Sequence, residues 1–197
     1  MASFYTHLAI AKLYAERVHI KDLASFYKGS IDPDLTDRKD KTHYGIPPSS
    51  FENAWVAVVN KVDLEKFLEH NPLDNDLNLG RFLHLVTDQK FFHEFFGKGF
   101  LENLNHETFT SDLFYSYINN NPYLSKKYDL QKIRTYPDLD FESIQAQVNR
   151  AFDKIERVKK SHNHLPKSII DTDKLDAFIC EVANLDLQSK HVHVRKS

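Results

Sequence analysis

Apolar side chains recur every third or fourth residue through most of this chain, the spacing an α-helix needs to bury one face. The run Phe141, Ile144, Val148, Phe152 and Ile155 shows it best, with Asp140 standing where a helix N-cap belongs. The same spacing predicts a first helix over Thr6 to Val18, through Ile10, Leu13, Tyr14 and Val18, with His7 on that stripe. It predicts a second over Phe51 to Glu69, carrying Trp55, Val58, Val59, Val62, Phe67 and Leu68, and a third from near Leu79 to about Phe96, where "GKG" stops it. "TSDLFYSYINN", closed by "NNNPY", reads as a fourth, Phe141 to Ile155 as the fifth, and "IIDTDKLDAFICEVANL" as a sixth with Asp171 or Thr172 as cap. Only 5 glycines are present, too few for the many tight turns of a sandwich or barrel. The expectation is an all-α fold, a single-domain helical bundle of about six main helices over residues 1–197, with 29–50 a functional loop and 190–197 a flexible, basic tail.

A formal charge of −2, with 11 histidines counted as neutral, gives no electrostatic case for nucleic acid or an anionic membrane as the main partner. Cys180 is the one cysteine, which excludes an internal disulfide and fits a reducing compartment. Lys12, Glu16 and Arg17 interrupt the N-terminal apolar stretch, and "AWVAVV", the longest apolar run, falls far short of the ~20 residues of a transmembrane span. The expected location is cytoplasmic.

The stretch "GRFLHLVTDQKFFHEFF" breaks the apolar rule. His84 and Asp88 are one helical turn apart on the stripe that continues through Phe91 and Phe95, so both face inward. An ionised aspartate in an apolar interior costs several kcal/mol unless it is paired or binds a metal. Two readings fit the spacing alone: a hydrogen-bonded polar spot in the core, or half of a cation site. The loop before it, "DPDLTDRKDKTHYG", holds Asp32, Asp34 and His43, which can approach such a helix from another direction.

The order "THLAIAKLYAE", "GSIDPDL", "KTHYG", "GRFLHLVTDQ" resembles the zinc-dependent phospholipase C family, whose helical fold is shared by the fungal single-strand-specific nucleases. The resemblance covers Thr6 to Phe96. It implies that Asp34, His43, His84 and Asp88 ligate a central zinc, with Asp32 the alternative to Asp34, and that Asp34 is also the general base or water-orienting group. It implies that His7 serves a second zinc bridged by Asp88, a site to which the amine of Ala2 would contribute if Met1 were removed. A third site is implied by His93 and His106, but Thr110 stands where a carboxylate belongs, and Glu107 or Asp112 would have to substitute. His93 follows His84 by nine positions, which at about 100° per residue puts it on the opposite face of an unbroken helix.

The implied function is that of a metal-dependent phosphoesterase, a metal-bound hydroxide attacking a phosphoester such as a phospholipid headgroup, a nucleotide or a small soluble phosphoester. The implied cofactor is Zn2+, one to three ions, with Mn2+ or Fe2+ also suited to mixed imidazole and carboxylate ligands. The alternative is a non-catalytic helical metal-binding or interaction protein with a vestigial site. An HD-type phosphohydrolase is disfavoured because the sequence has no His-Asp dipeptide. His19, His70, His162, His164, His191 and His193 read as solvated surface, and the aromatic stripe Phe91, Phe92, Phe95, Phe96 and Phe100 as core rather than a lipid-binding face. No oligomeric state follows from the sequence.

Overall fold

Six helix starts follow one rule. Ser3, Asp22, Asp63, Asn75, Asn105 and Asp171 each place a side-chain oxygen on a backbone N–H of the first turn that follows. The computed structural model describes residues 2–35, 39–44, 62–97, 105–136 and 164–187, with scattered positions between 139 and 161. Among them the α-helices are α1 (Phe4–Arg17), α2 (Leu23–Ile31), α3 (Lys39–Thr42), α4 (Leu64–His70), α5 (Asp76–Lys90), α6 (His106–Lys127) and α7 (Thr172–Ala183). The fold is all-α, and the β pairing present among the described residues is one isolated bridge, Tyr44 to Val62.

Several boundaries differ from the sequence expectation, each for an identifiable reason. The stretch read as a loop from residue 29 is largely helical where it is described. α2 runs to Ile31, a 3-10 turn covers Asp32–Asp34, and α3 follows at Lys39–Thr42. α2 escaped notice because it is short and its buried Phe26, Tyr27 and Ile31 lie next to Pro33 and a dense run of charge. Of the expected second helix, the described part is α4 from Leu64, capped by Asp63, with Val62 in the bridge just before it; residues 51–61 lie outside the described positions. α6 begins earlier than expected, at His106, and passes through Pro122. An interior proline costs about 3 kcal/mol. Burial of Leu124 and Tyr128 beyond it offsets that cost.

The fifth predicted helix is described at scattered positions. Glu142, Ala146, Asn149, Asp153, Glu156 and Lys160 are all helical and exposed, an outer face with period three to four, and Ile155 is buried. Phe141, Ile144, Val148 and Phe152 lie outside the described residues, as does the tail 190–197. The sixth helix is α7, and Asp171 is its cap, accepting from the Lys174 N–H at 2.9 Å.

α2 and α5 pack side by side at unusually short range. A Cβ on Gly29 would fall 2.2 Å from the Leu77 carbonyl oxygen, and one on Gly80 would fall 2.2 Å from that of Phe26, so only glycine allows this approach. Phe91 anchors the other end of the core, with ring contacts to Phe95, Phe96, Tyr117 and Phe178 at centroid distances of 5.0, 5.1, 6.3 and 5.6 Å. The aromatic stripe is therefore core as far as it is described, and Phe100 lies outside the described residues. No helix among the described residues is long and apolar enough to cross a membrane.

Candidate metal centre

Asp34, His43, His84 and Asp88 converge on one point, each offering a ligand atom within 4.8 Å of the others, and all four are buried. α5 supplies His84 and Asp88 one turn apart. The 3-10 turn after α2 supplies Asp34, and the residue after α3 supplies His43. His43 Nε2 stands 3.3 Å from Asp88 Oδ2 and 3.6 Å from Asp34 Oδ1; His84 Nε2 stands 3.5 and 3.9 Å from the same two oxygens. The first of these is a long hydrogen bond, and the other three are longer still. A four-coordinate ion with bonds of about 2.0–2.2 Å spaces its ligand atoms roughly 3.3–3.6 Å apart, which three of the four values meet.

Tautomers sharpen the point. His84 Nδ1 lies 2.9 Å from the Ser30 carbonyl oxygen, which only accepts, so that nitrogen carries the proton. The single hydroxyl hydrogen of Thr42 goes to the Pro33 carbonyl at 2.8 Å, so Thr42 accepts from His43 Nδ1 at 3.1 Å. Both Nε2 atoms are therefore turned toward the two carboxylates: His84 Nε2 makes no hydrogen bond, and His43 Nε2 makes a long one to Asp88 Oδ2 at 3.3 Å. Lone pairs facing anionic oxygens in a dry interior repel unless a cation or extra protons stand between them. The His84 imidazole shows that pull: burial works to lower its pKa, but the charges of Asp34 and Asp88 and the Ser30 carbonyl outweigh burial and raise it.

His7 comes to the same place from α1. It is 1% exposed, stacks on His84 with centroids 3.8 Å apart, and has no hydrogen bond at either ring nitrogen; Nε2 is 3.4 Å from Asp88 Oδ1. Burial, reinforced by the neighbouring His84, drives its pKa down to about 4, so at neutral pH the ring is uncharged and available as a ligand. Asp88 Oδ1 also accepts from the backbone N–H of buried Ala2 at 2.7 Å. Asp88 thus turns one oxygen toward His43 and His84 and the other toward His7 and Ala2.

The other sequence candidates are placed elsewhere. Asp32 does not join the group, because Arg81 holds its Oδ2 through both Nε and Nη2. Asp112 is buried, but its Oδ1 accepts from His164 Nε2 at 2.7 Å and from the Lys167 N–H at 3.0 Å, so it serves the segment leading into α7. That pair also corrects the reading of His164 as solvated surface. His19 and His70 are exposed, as expected. His93 is half-buried within a π-helical turn, Phe91–Phe95, which continues α5 and breaks its register without a proline. It is not among the gathered ligands, and His106, the first residue of α6, is described in its backbone only. Tyr117 was not foreseen. Burial, with the Asp88 and Asp34 charges nearby, pushes its hydroxyl well above the usual range and marks it as lying in the field of the centre.

Fold and site together define an all-α protein with a buried histidine–aspartate cluster suited to a divalent metal ion. Comparison with protein-family models, with curated proteins and with solved structures gave no match.

Proposed function

We propose that this chain is a metal-dependent phosphoesterase of the phospholipase C type, acting on a phospholipid headgroup, a nucleotide or a small soluble phosphoester. The observation that carries the reading is the meeting of Asp34, His43, His84 and Asp88, from three separate parts of the chain, with two imidazole Nε2 atoms turned toward two carboxylates. The phosphoester half rests on the sequence resemblance over Thr6 to Phe96, whose expected ligands are these same residues. When bound, a zinc-class ion lowers the pKa of a water toward neutrality and offsets charge on phosphoryl oxygens.

The residues have distinct tasks. His43 and His84 would hold the ion through Nε2, their orientation fixed by Thr42 and Ser30. Asp34 orients the attacking water and accepts its proton. Asp88, whose Oδ1 stands 3.4 Å from His7 Nε2, would share a second ion with His7. A net charge of −2 favours a small phosphoester over a polyanion.

Elemental analysis of protein purified without chelator, with hydrolysis of bis(p-nitrophenyl) phosphate, tests this. Bound zinc-class metal and metal-dependent hydrolysis are expected, both absent in Asp88→Ala; full activity in that variant overturns the assignment. A second reading, a metal-holding protein without turnover, is favoured by one observation: Asp112 and His93 are not gathered at the centre. A single tightly held ion with no hydrolysis selects it.

A further inference from the structure

The centre is assembled from two halves that share no local chain: Asp34 beyond α2, and His84 with Asp88 on α5. α2 and α5 run parallel. At their N-terminal ends the Asp22 N–H donates to Asp76 Oδ2 at 2.6 Å. In the middle, Gly29 and Gly80 let the backbones touch. At the exit of α2 the Arg81 guanidinium grips Asp32, the first residue of the 3-10 turn that carries Asp34. Arg81 is one turn before His84, and Asp32 is two residues before Asp34. One ion pair therefore ties the segment bearing one ligand to the helix bearing two others.

We infer that Arg81, acting through Asp32, is a positioning residue of the metal centre: it fixes the 3-10 turn so that Asp34 meets His84 and Asp88. Neither residue touches the gathered ligand atoms. Both side chains are about one-third exposed, at 34% and 31%, so their pairing is worth little to global stability, and its value lies in geometry. This inference rests on the metal-centre reading above and adds the device that sets its shape.

The test uses the full chain and Co2+ as the probe, followed by its visible d–d absorption, which reports the coordination geometry. Wild type is expected to bind Co2+ with an intense four-coordinate band. Arg81→Met and Asp32→Asn should each weaken binding about 10–100-fold and alter the band, as loss of an outer-shell partner does. Reversal of the pair, Asp32→Arg with Arg81→Asp, should bring affinity and band back toward wild type, which neither a ligand role for Asp32 nor general destabilisation would allow. Asp32→Asn is nearly isosteric, so it and the reversed pair decide the matter even if Arg81→Met folds poorly by circular dichroism. Wild-type affinity and band in Asp32→Asn, or no recovery in the reversed pair, overturns the positioning role and leaves the centre intact. A wild-type chain that binds no Co2+ overturns the centre itself.

Discussion

Asp88 receives the Ala2 N–H at 2.7 Å and faces His43, His7 and His84 at 3.3, 3.4 and 3.5 Å, so four partners depend on one carboxylate. Asp88→Asn keeps the volume but halves the acceptor capacity; we expect metal affinity to fall at least 100-fold, with a loss of about 1–3 kcal/mol in the metal-free protein. His7→Ala should lower the metal content without abolishing it, since the other four ligands stay, and elemental analysis of both variants separates the two outcomes. His7 also gives a pH prediction. Its folded pKa of about 4 lies below the ordinary histidine value of 6.5, so the unfolded state binds the proton more readily. Its contribution is whole above 6.5 and is lost as pH falls toward 4, with a slope of up to about 1.4 kcal/mol per pH unit. Denaturation of chelator-treated protein between pH 7.5 and 4.5 measures it, and His7→Gln should flatten that slope. The sequence picked out the four residues that cluster, through the resemblance more than the spacing, since an acid and an imidazole on an apolar stripe fit a hydrogen-bonded polar spot as well as a cation site. It left Asp32 and Asp34 open, since Arg81, which separates them, is 49 positions away from Asp32. Asp112 with His164 was hidden for the same reason.

At the level of elements, periodicity and caps located the long helices but not the places where one segment overrides its neighbour's rule. The π turn after Lys90 leaves no mark in composition; it is a local compromise that lets Phe91, Phe95 and Phe96 meet Phe178 and Phe109. Pro122 reads as a stop, yet the apolar stripe beyond it is worth more than the bond it removes. The α2–α5 contact was likewise invisible, since Gly29 and Gly80 gain meaning only when the two helices are placed together. Gly80→Ala drives a methyl group into the Phe26 carbonyl and should cost about 3 kcal/mol, read by chemical denaturation. α6 and α7 are joined by Asp176, which accepts from Tyr123, Lys127 and, at 2.9 Å, Tyr128. Partial burial works to raise its carboxyl, but those donors win and lower it. Its contribution is therefore present above the usual carboxylate value and disappears as pH falls through the lower folded one. The stability gap between wild type and Asp176→Asn should shrink from pH 5 to pH 2.

For the molecule as a whole, an ion held by residues from the turn after α2, the residue after α3 and α5, with His7 of α1 beside them, would be a cross-link of the folded state alone. Chelation should lower the Tm and added zinc should restore it; at a free concentration 100 times Kd the gain is about 2.7 kcal/mol. One more consequence concerns His43. Its carbonyl accepts from the Asp63 N–H at 3.1 Å, while Tyr44 pairs with Val62 and its hydroxyl takes the Asn71 amide at 2.8 Å. Residues 44 and 62 are thus clamped together beside His43. This clamp fastens the backbone of His43 to the start of α4, so a substitution at Tyr44 or Asn71 that loosens it would reach the cluster without touching any of its side chains.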